Sequence, residues 1–176
     1  MKTKWMKIGI VVAGAAIVAV CTLPVKKNID TTIPTVEWKL DDKQNAKNTT
    51  VKVKGTYYSY LFRRNCFKGS IEVEGHEAPE NSTLQTVYFE DGVGQLFYED
   101  NQDFMKLTNL GFLMCSSDFS EVMVGVYSEH GGWTGEDGIV ICGTASEYGE
   151  ALKVARKLAK KAGKHAWMEK DGPFAE

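Results

Sequence analysis

An uncharged run near the N-terminus constrains this chain more than any other feature of its sequence. The run extends for 18 residues, from Ile8 to Val25, and reads IGIVVAGAAIVAVCTLPV. As an α-helix it would span about 27 Å, close to the roughly 30 Å thickness of a bilayer's hydrocarbon core. A domain of this size has no core able to surround a helix that is apolar on every side. We therefore predict a transmembrane helix over residues 8–25.

The charges on either side of the run indicate its orientation. Lysines stand on both sides of it, at Lys2, Lys4, Lys7, Lys26 and Lys27. The excess on the N-terminal side is modest, and it favours a cytoplasmic N-terminus. The expected topology is a single-pass membrane protein with residues 1–7 in the cytoplasm and the C-terminal domain held outside it.

Two alternatives to a permanent anchor are a cleaved signal peptide and a lipoprotein signal that ends at Cys21. Signal peptides carry an apolar region of about 7 to 15 residues before a small-residue cleavage site, and this run is longer. Val20 is also bulkier than the small residue that precedes a lipoprotein cysteine. The sequence therefore favours the anchor over both alternatives.

The rest of the chain is acidic. Without the five lysines around the apolar run, 16 basic residues face 23 acidic ones, a net charge of -7. The segment from Ser146 to Lys164 departs from this trend with a local charge of +4. Nucleic-acid binding requires a basic surface that displaces counterions from phosphates, so we expect no nucleic-acid partner.

The pattern after the anchor indicates a mainly β domain. Residues 26–48 are polar apart from a short apolar segment at residues 36–40, and they are expected to form a stalk that can lend one strand to the domain. Residues 49–164 are expected to form the extracytoplasmic domain, followed by a tail at 165–176. Short runs of β-branched and aromatic residues, separated by Gly, Asn and Asp, predict antiparallel strands. We place seven strands near residues 50–62, 69–75, 84–90, 95–99, 111–116, 121–128 and 138–143. Between the third and fourth strands, the segment Asp91-Gly92-Val93-Gly94 predicts a hairpin loop, since glycine supplies positive φ angles.

One amphipathic helix is predicted at residues 144–163. Thr144 and Glu147 match the capping-box pattern T-x-x-E, and Gly163 stands where a helix commonly ends. Alanines and leucines recur at three- and four-residue steps on one face, and lysines on another. The fold expected is α+β but mainly β: an antiparallel sandwich or open barrel of about seven strands closed by this helix.

The cysteines raise the question of a disulfide, a metal site or a reactive thiol. Three of them, Cys66, Cys115 and Cys142, follow the anchor, so one disulfide and one free thiol are possible. Cys115 and Cys142 lie in apolar strand-like runs, which favours buried small side chains. The chain has no CxxC, HExxH or paired Cys/His spacing. We therefore expect no metal and no cofactor.

A thiol enzyme is nevertheless one alternative, because a thiolate reacts when a base or cation stands beside it. The chain combines His76, His130, Cys142 and Arg156 in an anchored, outward-facing β domain. In architecture and residue types this resembles the sortase transpeptidases, which use His, Cys and Arg. The resemblance implies Cys142 as the nucleophile. Its context, Ile-Val-Ile-Cys-Gly, departs from the Thr-Leu-x-Thr-Cys strand of sortases, and Arg156 is predicted on a helix.

The segment from His130 to Gly138 is the best candidate for ligand binding. Its four glycines give the loop freedom, Trp133 offers a flat aromatic face, and His130, Glu136 and Asp137 offer polar groups. This combination suits stacking on a sugar or holding a peptide. We therefore expect a surface-displayed, non-enzymatic binding protein that recognises a surface ligand or a protein partner. A barrel that encloses a small apolar ligand is a further alternative.

Overall fold

A computed structural model of the chain describes residues 22–128, 132, 133 and 138–175. Within them lie nine β-strands, one α-helix and two 3-10 helices. The strands are β1 (Val25–Lys39), β2 (Lys47–Ser59), β3 (Cys66–Val73), β4 (Ser82–Leu84), β5 (Val87–Glu90), β6 (Val93–Asp100), β7 (Leu107–Cys115), β8 (Val122–Val126) and β9 (Ile139–Gly143). The α-helix, α1, spans Tyr148–Lys161, and the 3-10 helices span Lys43–Asn45 and His165–Met168.

Eight of the strands form a closed antiparallel barrel. Each strand pairs with its neighbours in the chain, in the order β1-β2-β3-β5-β6-β7-β8-β9, and β9 returns to pair with β1. The short strand β4 pairs with the end of β6. The mainly β class, the antiparallel pairing and the single C-terminal helix are therefore confirmed. The sandwich and the open barrel are replaced by a closed up-and-down barrel.

Strand β1 accounts for this difference. It lies in residues 26–48, which the sequence indicated as a stalk, so the barrel begins at Val25 instead of near Thr49. Along most of its length β1 pairs with β2, and residues 36–39 also pair with β9. Ile29 and Ile33 point into the barrel while the residues between them are largely exposed. That alternation is the period-2 signal of a half-buried strand.

The two ends of the barrel are distinct surfaces. We call the end that carries the start of β1 and the loops after β2, β5 and β7 the N-terminal rim. The far rim carries the loops after β1, β3, β6 and β8. The β5–β6 turn consists of Asp91 and Gly92 with φ angles of 48° and 76°. The predicted hairpin is confirmed, but its loop is shorter than expected because Val93 and Gly94 belong to β6.

Side chains fill the barrel interior. The buried residues there include Val53, Phe67, Leu96, Leu113, Val124 and Ile141. At the N-terminal rim the loop after β7 folds inward and places Phe119 against Phe67, with ring centroids 5.1 Å apart. Hydrogen bonds from the Ser116 and Ser120 hydroxyls hold Asp118 in this loop and keep the pKa of its carboxyl well below the usual range. Phe119 therefore closes this end of the core.

Helix α1 covers part of the outside of the barrel. Its apolar stripe, which includes Ala151, Ala155, Leu158 and Ala159, is buried against Trp38 and other outward-facing side chains. Its end matches the prediction, since Gly163 has a φ of 70° and the Lys164 N–H donates to the Ala159 carbonyl.

The start of α1 differs from the prediction. The helix begins at Tyr148, four residues later than expected. Glu147 is the N-cap of the helix, so Thr144 precedes the helix and does not form a capping box with Glu147. The Thr144 hydroxyl donates to the Ser120 carbonyl. The Glu150 carboxylate instead accepts hydrogen bonds from the backbone N–H and the hydroxyl of Ser146.

The predicted transmembrane helix falls almost wholly outside the described residues, which begin at residue 22. Its last residue, Val25, is the first residue of β1. Within the part of the chain that the structure describes, no helix is both long enough and apolar enough to cross a bilayer.

The interior position of Phe119 yields a first prediction. Phe119→Ala should lower the free energy of unfolding by about 3–5 kcal/mol, because it removes a buried ring and leaves a cavity. Phe104→Ala is the matched control, since Phe104 is 74% exposed in the loop after β6, and its effect should stay within about 0.5 kcal/mol. Urea unfolding of both variants measures the difference. Equal losses would contradict the placement of Phe119 in the core.

Candidate functional site

Trp133 belongs to an aromatic cluster on the outside of the barrel. Its ring centroid lies 5.1 Å from those of both Phe112 and Trp167, and 6.4 Å from that of Phe174. Its indole N–H donates to the Ile139 carbonyl at 3.1 Å, which fixes the orientation of the ring. The rings of Trp133 and Trp167 are inclined by only 35°. Trp133 is therefore held in a defined position and remains partly exposed.

An open cleft of about 520 Å³ lies beside this cluster. Aromatic side chains from four parts of the chain line it, namely Tyr88 of β5, Phe112 of β7, Tyr127 and Trp133 after β8, and Trp167 of the second 3-10 helix. Its polar lining comes from Glu90, Gln95 and Lys164. A concave surface with several aromatic faces and a few polar groups has the composition of a ligand-binding site.

Hydrogen bonds order the floor of this cleft. The side-chain carbonyl of Gln95 accepts from the Tyr127 hydroxyl at 3.2 Å and from the Asn109 amide at 3.4 Å. Phe112 is buried beneath the cleft and contacts the rings of Tyr127, Trp133 and Trp167. These contacts hold the polar and aromatic groups in place before any ligand arrives, which lowers the entropic cost of binding.

The other predicted ligand-binding residues, His130, Glu136 and Asp137, lie outside the described residues. Their described neighbours are bonded to the rest of the barrel. The Ser128 N–H donates to the Gly132 carbonyl at 2.8 Å, and the Leu40 N–H donates to the Gly138 carbonyl at 3.0 Å. Of the four residues predicted from the sequence, the structure places Trp133 in the cleft.

Sequence reasoning missed Trp167, Tyr88 and Tyr127. Trp167 lies in residues 165–176, which were expected to form a tail, but this segment contains a 3-10 helix and the fully buried Phe174. Phe174 is anchored in turn, since the Arg156 guanidinium donates to its backbone carbonyl at 2.8 Å. A tryptophan and a phenylalanine after the helix were the available signal that this segment packs on the body.

A second polar cluster lies near the far rim. Glu37 of β1 is only 7% exposed and accepts hydrogen bonds from His76 Nε2 at 3.1 Å and Lys47 Nζ at 3.0 Å. Burial alone would raise the pKa of Glu37, but these hydrogen bonds and the charges of His76 and Lys47 outweigh it. The pKa of Glu37 is therefore lowered from 4.5, and its carboxylate stays charged.

The residues of the thiol-enzyme alternative are not brought together in the described part of the chain. Cys142 is fully buried on the helix-facing side of β9, in the same apolar cluster as Trp38 and Ala155. His76 contacts Glu37, whose side chain points to the opposite face of the sheet from the neighbouring Val36 and its partner Cys142. Burial also raises the pKa of the Cys142 thiol strongly, which disfavours the thiolate.

The remaining cysteines are also free thiols, so none of the three forms a disulfide. Burial raises the pKa of Cys115 to about 12, and it raises that of Cys66 as well. Among the described residues, no group of His, Cys, Asp and Glu side chains is placed to hold a metal ion.

Comparisons with protein-family models, with curated proteins and with solved structures found no significant match to this chain. The geometry of the barrel and its cleft is therefore the basis for a functional assignment.

The Glu37 cluster predicts a pH dependence of stability. Because the folded-state pKa of Glu37 is lowered, its contribution is present above pH 4.5 and is lost as the pH falls through the folded-state value. Glu37→Gln should cost about 1–3 kcal/mol at pH 7 and should flatten the loss of stability below pH 4.5. Glu72→Gln, at an exposed side chain on β3, should leave the profile unchanged. A profile of unfolding free energy against pH distinguishes the two variants.

The buried thiol predicts low reactivity. Cys142 in the folded chain should react with iodoacetamide at least about 100-fold more slowly than in the urea-unfolded chain, since alkylation requires an exposed thiolate. Peptide mass spectrometry after timed labelling gives the rate for each cysteine. Rapid labelling of Cys142 in the folded state would show that the helix does not protect it and would favour the thiol-enzyme alternative.

Proposed function

We propose that this protein is a membrane-anchored, extracytoplasmic binding module, and that the aromatic cleft around Trp133 and Trp167 is its recognition site. The observation that carries this proposal is the cleft itself, in which Trp133 and Trp167 pack against each other beside Gln95 and Tyr127, whose side chains are joined by a hydrogen bond. The uncharged run of residues 8–25 supports the anchor. Neither observation calls for a chemical reaction.

A short oligosaccharide is the ligand class that suits this cleft best. The flat faces of Trp133, Trp167 and Tyr127 suit stacking against the C–H face of a sugar ring. Glu90, Gln95 and Lys164, which line the same cleft, supply acceptors and donors for the hydroxyl groups of a sugar. Both a stacking surface and several edge hydrogen-bonding groups are therefore present, as sugar binding requires.

The filled interior gives further support to an external site. Residues such as Val53, Leu96 and Leu113 occupy the barrel axis and are at most 1% exposed. An eight-stranded barrel has room either for its own side chains or for one small ligand. This barrel uses the space for side chains, which disfavours the carrier alternative and leaves the outer surface for recognition.

Two substitutions test the cleft. Trp167→Ala removes a stacking face, and Gln95→Ala removes an exposed hydrogen-bonding group without touching the core. Each should weaken oligosaccharide binding by about tenfold or more, while Phe104→Ala on the far rim should leave binding unchanged. Immobilised full-length protein and its variants are titrated with a panel of oligosaccharides and, in parallel, short peptides.

The panel also decides the ligand class. Binding of a saccharide that both cleft variants weaken supports the proposal. If no saccharide binds, or if both variants bind as well as the unmodified chain at equal folded fraction, the cleft is not a sugar site. Peptide binding lost in the same variants would replace the ligand class and keep the site.

A further inference from the structure

We propose that the N-terminal rim of the barrel rests on an anionic bilayer surface, with the loop of residues 60–65 inserted among the lipid headgroups. This inference rests on the proposed function, because it takes the bilayer that holds residues 8–25 as the surface in question. It adds a second membrane contact, made by the folded barrel itself.

The tip of the β2–β3 loop is apolar and exposed. Leu61 and Phe62 are adjacent and are 65% and 72% exposed. Two further apolar side chains, Leu23 and Val25, are 66% and 73% exposed where the chain enters the barrel. Val25 pairs with Ser59, so this entry point lies beside the loop. Large apolar side chains gathered at one rim mark an interaction surface.

Basic side chains surround this apolar tip. Arg63 and Arg64 follow Phe62 directly. Lys26 of β1 and Lys68 of β3, the two strands beside β2, both place their ammonium groups near the ring of Tyr58, with Nζ atoms 5.8 Å and 5.9 Å from its centroid. Lys27 is the next residue of β1 and is exposed. Apolar residues that enter the interface and cations that pair with anionic lipids are the two components of peripheral membrane binding.

A shallow pocket at the base of the loop fits a phosphate headgroup. It has a volume of about 410 Å³ and is lined by Tyr60, Arg63, Arg64, Lys68 and Tyr88. Arginine guanidinium groups and tyrosine hydroxyls are donors suited to phosphate oxygens. Arg64 also forms an ion pair with Glu90 at 3.3 Å, which offsets its positive charge. Arg63 and Lys68 therefore supply the net positive charge of the pocket.

The position of the exposed apolar residues sets which side of this rim makes the contact. On the side of the β5–β6 turn and the loop after β7 the charges are mixed, since Asp91 and Asp118 lie there together with Lys161 of α1. On the side of β1, β3 and the loop between β2 and β3, the basic residues accompany the exposed Leu61 and Phe62. We therefore place the barrel with its β1–β2–β3 side toward the bilayer.

The far rim provides a contrast within the same molecule. Its loop after β6 exposes Phe104 and Met105, at 74% and 93%. Acidic side chains flank this loop, namely Glu99, Asp100 and Asp103, and they would be repelled by an anionic surface. An equally apolar tip thus lies on the opposite end of the barrel with the opposite charge.

Site-specific crosslinking in vesicles tests the inference on the full-length chain. A photoreactive phenylalanine analogue replaces Phe62 in one sample and Phe104 in another, and each chain is reconstituted into vesicles of phosphatidylglycerol and phosphatidylcholine. After irradiation, mass spectrometry measures the fraction of each peptide bound to lipid. We expect position 62 to give about tenfold more lipid adduct than position 104, because only the former lies at the bilayer.

Charge variants test the electrostatic part. Lys27→Gln with Arg63→Gln should reduce the adduct at position 62 about tenfold, since each cation near an anionic surface contributes to binding. The matched pair Lys43→Gln with Lys106→Gln, at the far rim, should leave it unchanged. Vesicles of phosphatidylcholine alone should reduce the adduct to a similar extent.

The outcomes separate this inference from the proposed anchor. Alkaline carbonate extraction of the same vesicles reports whether the chain is integrally anchored. If the chain resists extraction but positions 62 and 104 give equal adduct yields, the rim contact is wrong and the anchor stands. If the chain is extracted but position 62 still reacts preferentially before extraction, the anchor is wrong and the rim contact stands.

Discussion

The pairing of β1 with both of its neighbours is the contact on which the rest of the structure depends. Residues 36–39 bond to β9 while the length of β1 bonds to β2, and this closes the sheet. Without it, β2 and β9 would both be edge strands with unpaired backbone groups, which favour aggregation. Closure also creates the enclosed interior in which Val53, Leu96 and Leu113 are buried.

The same strand contributes to two hydrophobic layers. Ile29 and Ile33 point into the barrel, whereas Val36 and Trp38 lie outside it beneath α1. Because neighbouring side chains on a strand point to opposite faces, one segment of β1 fixes the core and the seat of the helix together. The segment after α1 then continues across the outer surface and delivers Trp167 and Phe174 to the cluster around Trp133.

The local parts of this architecture could be predicted from the sequence, and the non-local parts could not. Seven strands, the Asp91-Gly92 turn and the apolar face of α1 follow from periodicity and turn residues. The polar stalk was expected to lend one strand to the domain, but only its apolar residues 36–40 indicated that strand. Lys26, Asp30 and Thr32 on the outward face of β1 hide the alternation of Ile29 and Ile33, so the full length of the strand was missed. Whether the sheet closes depends on contacts between the two ends of the chain, which no local pattern reports.

The candidate site was predicted in part for the same reason. Trp133 was identified by its glycine-rich context, but Tyr88, Gln95, Tyr127 and Trp167 come from separate elements that only the folded barrel brings together. The predicted capping box was also wrong, because the N-cap is Glu147 and the Thr144 hydroxyl donates to Ser120, a partner distant in the sequence. Periodicity and motif spacing describe a segment by itself, whereas a cleft is a property of several segments.

The positions of the cleft and the basic pocket link the two proposals. Tyr88 of β5 lines both of them, so the cleft opens beside the surface that we place against the bilayer. The Tyr88 end of the cleft would therefore be within reach of a saccharide or peptide that is itself held at the membrane, while Tyr127 and Trp133 line the cleft from the loop after β8. When the protein and a membrane-held ligand are confined to the same bilayer surface, the effective concentration of the ligand at the cleft rises. Modest affinity from a few aromatic contacts is then sufficient for occupancy, and an open, partly polar cleft is consistent with that requirement.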